Sequence, residues 1–231
     1  MESRLVSRCI SPPERILKQV CFILNNITEY NLESQVDEII TIIPHHFTLW
    51  LAYSILRRVA SEPSQHNLYS KFVTMISKHY TNFGTFMLEI LTKEIDYLLK
   101  IPNPNVYNGK VLKYFGGFLG RLTIARDIPL PVDIKSLIYT TYKHKPNSLD
   151  CIISFISELL KNVKYSYQIK PSSPWVKEIL QVIKELHHLT DKLTIQFEIE
   201  LLFSFLGCDF NEWNSAYYLR LLNENENKQS N

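Results

Sequence analysis

The segment KVLKYFGGFLGRLTIARD, Lys110–Asp127, gathers three of the chain's six glycines into five residues. Leu112, Phe115, Leu119, Leu122 and Ala125 keep helical spacing around them. A glycine inside a helix costs about 1 kcal/mol relative to alanine, so three together need a reason. One is a phosphate cradle; the other is a seam where a second helix comes unusually close. The spacing separates them. A dinucleotide fingerprint requires G-x-G-x-x-G after a strand and a P-loop requires G-x-x-x-x-G-K-[ST]. Gly116, Gly117 and Gly120 fit neither, and apolar helical residues flank them on both sides. Gly116 and Gly120 stand four apart, on one helix face, and strip that face of side chains. The segment is read as a packing helix, and the fold as helices laid against helices.

The same periodicity runs outward in both directions. Ser11-Pro12-Pro13-Glu14 reads as a helix start with Ser11 as N-cap, leading into Ile16, Val20, Ile23, Leu24 and Ile27. Further helices are expected over about 32–43, from Pro44 to near Glu62, and over 64–79 and 83–100. The stretch IPNPNVYNG is taken as a loop before the glycine helix, which DIPLP ends. A seventh helix is expected from near Val132 to Lys145. The eighth carries Leu149, Ile152, Ile153, Ile156, Leu159, Leu160 and Val163 on a single face. KYSYQIKPSSPW is the longest non-periodic connection. Three more helices follow, over about 175–189, 193–206 and 209–222. No run of alternating residues requires a strand. The reading is one all-α domain over residues 1–222, about five antiparallel hairpins stacked as a degenerate α-solenoid, with a polar tail over 223–231.

The chain has 231 residues, 45% of them apolar, enough for a sizeable core. No apolar run approaches the ~20 residues of a membrane helix, and the N-terminus lacks the apolar stretch of a secretory signal. Cys9, Cys21, Cys151 and Cys208 form no C-x-x-C pair, so no zinc knuckle or disulfide framework is indicated. The expectation is a reduced, soluble, cytoplasmic protein with no cofactor and no membrane partner. Net charge is only +2, but it is unevenly spread. Lys110 to Lys145 holds seven Lys/Arg against two Asp, and Trp175 to Glu226 holds nine Asp/Glu against four Lys/Arg. Such asymmetry suits docking to charged protein partners as well as ordinary solvated helix faces.

Two chemistries compete with structural roles. Glu185-x-x-His188 has the spacing of helical di-metal carboxylate sites, but those need a second such pair, and none occurs. No His-Glu-x-x-His helix or Gly-x-Ser-x-Gly elbow is present, so no metal site and no catalytic residue is assigned. Tyr139, Tyr142, Tyr165 and Tyr167 interleave with Lys143, Lys145, Lys164 and Lys170, a mixture able to hold single-stranded RNA or to snorkel at the core edge.

Four stretches carry a family resemblance: FILNNIT (Phe22–Thr28), RRVASEPSQHNLYSKF (Arg57–Phe72), LKYFGGFLGRLTIARDIPL (Leu112–Leu130) and IKPSSPWVKEILQVIKELH…KLTIQFEIELL (Ile169–Leu202). In order and spacing they resemble the middle domain of the Not scaffold of the Ccr–Not mRNA deadenylase complex, itself similar to the HEAT-like middle domain of initiation factor four-G. The likeness covers about residues 11–215. Gly117-Phe118 and Ser172-Ser173 depart from the family pattern, and Ser77–Tyr107 matches poorly. Family proteins are much longer, so an excised domain or a shortened scaffold is expected.

The resemblance implies a HEAT-like stack and a non-catalytic scaffold that holds a Caf-type deadenylase and a DEAD-box RNA helicase in mRNA decay and translational repression, touching RNA only indirectly. Gly116, Gly120, Pro174 and Trp175 are then structural motif positions. Lys113, Arg121, Arg126 and Lys135, the basic central block, are assigned to the helicase-facing surface. The nuclease surface is expected on helices before residue 100. The alternatives are a four-G-like domain binding a translation helicase, and a helical repeat binding RNA directly.

Overall fold

The computed structural model describes residues 10–229. Among them are eleven α-helices and no strand: α1 (Glu14–Asn26), α2 (Leu32–Ile42), α3 (Thr48–Val59), α4 (His66–His79), α5 (Phe83–Leu99), α6 (Val106–Leu122), α7 (Ile134–His144), α8 (Leu149–Leu160), α9 (Pro174–Leu189), α10 (Leu193–Leu206) and α11 (Tyr218–Gln229). No single described helix is long and apolar enough to cross a membrane. The all-α expectation holds. The chain divides into two compact units, one ending at Tyr97 and one beginning at Leu98, within the last turn of α5. Cys9 lies outside the described residues.

In the first unit α1 packs on α2, α2 on α4, and α3 on α4. At Pro44, which cannot continue a helix, the axis turns by 112° between α2 and the helical stretch His45–Val59. The core is Val20, Ile23, Val36, Ile39, Leu51, Ile55, Val59, Phe72, Val73 and Ile76. Within Arg57–Phe72, polar side chains tie the end of α3 to α4, with His66 and Tyr69 buried and Arg58 and Glu62 partly exposed. His66 Nε2 lies 2.9 Å from the Val59 carbonyl, and since a carbonyl only accepts, that nitrogen carries the hydrogen. The Tyr69 hydroxyl donates to Glu62. Burial, with Glu62 beside it, pushes the Tyr69 phenol up to about 12. Arg58 reaches Glu62 at 3.6 Å and Asn25 at 2.5 Å.

The second unit has two layers. The even-numbered helices α6, α8 and α10 lie side by side, α8 in the middle, and the odd-numbered α7, α9 and α11 form the other row. The closest pairing is α6 against α8. A β-carbon on Gly116 would stand 2.5 Å from the Phe155 carbonyl oxygen, and one on Gly120 would stand 2.6 Å from the Leu159 oxygen and 2.4 Å from Asn162 Nδ2. The α8 backbone occupies the space where side chains would be. Asn162 Nδ2 also donates to the Gly117 carbonyl at 3.2 Å. The helix begins earlier than its sequence suggests: Val106–Gly109 is its first turn, because the Asn105 carboxamide accepts the Asn108 N–H at 2.8 Å. Gly109 thereby joins the seam, where its β-carbon would lie 2.7 Å from Cys151 Sγ. Flanked on three sides, α8 also buries Phe155 and Ser157, beyond the face its pattern shows.

Three further boundaries differ from expectation. Ser11 does not cap α1; Pro13 precedes its first residue and no side chain caps it. Asp133, not Val132, opens α7, accepting Ser136 N–H and O–H at 3.2 and 2.7 Å. The largest difference is α11, placed by sequence at 209–222 and found at Tyr218–Gln229. Its start is set from a distance. Glu185, 0% exposed on α9, accepts the backbone N–H groups of Tyr218, Leu219 and Arg220 at 2.8–3.1 Å. A buried carboxylate at a helix N-terminus satisfies orphan donors and meets the positive end of the dipole. Next to it Lys184 Nζ donates to the carbonyls of Phe210 and Trp213, holding Asp209–Tyr217 out of helix. Ala216 N–H adds a bond to the Gln181 carbonyl. Residues 223–229, expected as a tail, continue the helix backbone.

Two outcomes are expected. Gly116→Ala and Gly120→Ala each lower stability by about 1–3 kcal/mol, because overpacking against α8 backbone exceeds the gain in helix propensity; chemical denaturation reads this, and a rise in stability would refute the seam. Glu185→Gln removes the charge but not the shape. It weakens the cap by about 1.5–3 kcal/mol, and amide exchange should accelerate at Tyr218–Arg220 before it does elsewhere.

Candidate protein-interaction surfaces

In the first unit a groove of about 540 Å³ runs between α1 and α3. Leu17, Val20, Cys21 and Leu24 form one wall and Trp50, Tyr53, Ser54, Arg57 and Arg58 the other. Tryptophan, tyrosine and arginine are the residue types that dominate protein interfaces energetically. The facing arrangement of α1 and α3 is what makes Trp50 part of a groove.

In the second unit α10 carries two apolar stripes. Ile195, Ile199, Leu202 and Phe203 are buried. On the opposite side Leu193, Phe197 and Leu201 are 77%, 62% and 45% exposed. They follow one another every four residues, a single ridge. The pattern was present in LTIQFEIELLFSFL as a helix apolar nearly all round, but packing decides which stripe is outside. Lys161 and Lys164 flank the ridge's end, their Nζ atoms 5.9 and 4.8 Å from the Phe205 ring.

The four basic residues assigned to a helicase surface lie on different elements and meet different partners. Lys113 lies in the even-numbered layer, 3.8 Å from Glu158 and 4.0 Å from Glu198, in a network that Lys161 completes at 2.7 and 3.9 Å. Arg121, at the end of α6, stands over the Tyr165 ring at 5.6 Å. Arg126 is exposed on the 3-10 turn Ile124–Arg126. Lys135 belongs to the other row, 2.5 Å from Glu178 and 6.0 Å from the Tyr218 ring. The hydrogen bond to Glu178 raises its ammonium above the ordinary lysine range. Lys113 and Arg121 thus share α6, while Lys135 faces α9 and α11.

The remaining candidates resolve into structural roles. Glu185 is spent on capping α11, and His188 packs 6.3 Å from the Phe210 ring, so the Glu-x-x-His pair is no ligand set. Lys143 sits over the Tyr139 ring, Lys145 donates to the Leu99 carbonyl and Lys170 to the Ser166 carbonyl, so these lysines meet local acceptors and rings. Pro174 is the first residue of α9 and Trp175 the second; both follow a turn in which Ser173 Oγ accepts the Lys170 N–H at 2.9 Å.

Residues 8–231 match the family described as the CCR4-NOT transcription complex subunit 1 CAF1-binding domain. Among curated relatives, the chain is 33% identical over 213 residues to CCR4-NOT transcription complex subunit let-711 of Caenorhabditis elegans, covering 87% of this chain and 8% of that protein. It is 29% identical over 195 residues to General negative regulator of transcription subunit 1 of Saccharomyces cerevisiae, covering 82% and 9%. The protein of that name in Schizosaccharomyces pombe is 25% identical over 205 residues, covering 84% and 9%. The chain thus spans about a tenth of the length of the relatives it matches. A match across nearly the whole sequence is decisive at the level of family: the chain belongs to the CAF1-binding domain family of CCR4-NOT subunit 1, a non-catalytic scaffold family that binds a partner.

Proposed function

We propose that this domain docks a Caf1-type deadenylase and holds it beside other mRNA-decay factors in the cytoplasm. The observation that carries this is the family match over residues 8–231. The physical role of such a scaffold is effective concentration: a tethered nuclease meets its substrate assembly without a second diffusional search. Trp50, Tyr53 and Arg57 along the α1–α3 groove are of the anchor type that docking requires. The test is a mixed size-exclusion run with the Caf1-type nuclease of the same organism. Co-elution as a one-to-one complex is expected, and separate elution would remove the assignment.

We propose further that the domain engages a DEAD-box RNA helicase through its basic central block and so takes part in translational repression. Holding the two helicase lobes in one relative orientation would act as a population shift. The support is local charge and resemblance. Because Lys113 and Arg121 share α6 while Lys135 faces α9 and α11, two charge-reversal pairs separate the contributions. Lys113→Glu with Arg121→Glu, and Arg126→Glu with Lys135→Glu, are each expected to weaken helicase capture about tenfold or more, as loss of interfacial charge pairs does. Capture unchanged by both pairs would exclude the basic block.

A further inference from the structure

A second groove, of about 490 Å³, lies wholly within the second unit. One wall is the segment from Asp127 to Lys135; the other is Ile169 with Trp175, Glu178 and Ile179. Its floor and sides are Ile128, Pro129, Leu130, Val132, Ile134, Ile169, Trp175 and Ile179, an apolar trough large enough for two or three side chains. Ile128 is substantially exposed, and Leu130, Val132 and Trp175 are half-buried, so apolar surface faces solvent here.

The walls are held in place. Asp127 adopts the left-handed backbone conformation, φ 59°, which costs a residue with a β-carbon some strain. Its carboxylate accepts the Ser166 hydroxyl and the Gln168 N–H, the latter at 3.0 Å, and Ser166 Oγ accepts the Ile169 N–H at 2.7 Å. Those bonds tie one wall to the other, so an occupant meets a preformed trough and avoids the cost of ordering it.

The rim specifies the sign of the occupant. It carries Asp127, Asp133 and Glu178 with the cation Lys135, which is paired with Glu178 at 2.5 Å, so the excess negative charge is that of Asp127 and Asp133. The Ser166 and Gln168 bonds hold the Asp127 carboxyl below its usual range, and those from Ser136 do so for Asp133, so both are anionic at neutral pH. Pro129 and Pro131 remove two N–H donors from the wall while leaving its carbonyls. The surface is therefore apolar in the middle, negative at the edge and rich in acceptors.

We propose that this trough is a docking site for a short, extended segment of another protein that inserts an aliphatic or aromatic anchor and flanks it with lysine or arginine. Such a segment satisfies all three properties at once: the anchor fills the trough, flanking cations face the carboxylates, and its N–H groups donate to the proline-bounded wall. The site is separate from the α1–α3 groove and from Lys113 and Arg121 of α6, and it shares Lys135 with the basic block.

The test pans random short peptides displayed on phage against the intact chain, then measures synthetic versions by fluorescence anisotropy. Selected peptides should share an apolar anchor flanked by Lys/Arg, bind with roughly micromolar affinity, and shift the Trp175 indole N–H resonance. Ile128→Lys, which places a cation at the trough's mouth, should weaken them at least about tenfold, with the melting temperature checked for retained folding. Trp175→Phe keeps an aromatic wall and should hold affinity within about threefold. Acidic selected peptides, selection of none, binding that Ile128→Lys leaves unchanged, or a Trp175 shift produced by oligouridylate RNA and not by peptides would each overturn the proposal.

Discussion

The approach of the α8 backbone to the glycine face of α6 is the constraint on which the second unit depends. Two residues without side chains, Gly116 and Gly120, let main chain meet main chain, with the Phe155 and Leu159 carbonyls where β-carbons would be, and Gly109 makes room for the Cys151 side chain. Bringing axes together increases the number of atom pairs in dispersion contact along both helices, which offsets the propensity lost at each glycine. It also fixes α8 as the centre of the even-numbered layer, with α10 on its far flank and α7 behind it. A helix surrounded in this way is apolar around most of its circumference, as α8 is.

Around that seam, a few buried polar groups decide where elements begin and turn. Glu185 and Lys184 are neighbours on α9 and act on opposite chemistries: the carboxylate gathers three N–H groups at the start of α11, and the ammonium gathers two carbonyls from the turn before it. In the first unit Glu62, Tyr69, His66 and Arg58 do comparable work at the junction of α3 and α4. Within the second of the four family-like stretches, Glu62, His66 and Tyr69 thus serve folding, while Arg57 and Arg58 also line the α1–α3 groove. Buried polar groups cost least when partnered, and satisfied networks help to specify a single arrangement.

For a binding protein, the distribution of charge matters as much as its sum. Lys113 and Lys161 are shared among Glu158 and Glu198, and Lys135 is held by Glu178. Exposed pairs of this kind contribute little to stability, yet each lowers the field a partner would meet at that point. The exposed features left for recognition are mixed: the aromatic and arginine groove between α1 and α3, the apolar ridge of α10, and the acid-rimmed trough beside Trp175.

Sequence by itself determined the class of the fold, the family, and nearly every helix. Periodicities of 3.6 residues are local, and α10, read as 193–206, is found at Leu193–Leu206. The glycine seam was legible for the same reason, since Gly116 and Gly120 share a face in any helix. What tertiary structure alone decided has a common physical cause, interaction between residues far apart in the chain. The start of α11 depends on a carboxylate 33 residues upstream. The outward stripe of α10 depends on which of its two apolar faces meets α8. The separation of Lys113 from Lys135 follows from alternate helices falling into different rows, which turns a block of basic residues contiguous in sequence into two distinct surroundings. Local pattern carries no record of those partners, because each is chosen only when the helices pack.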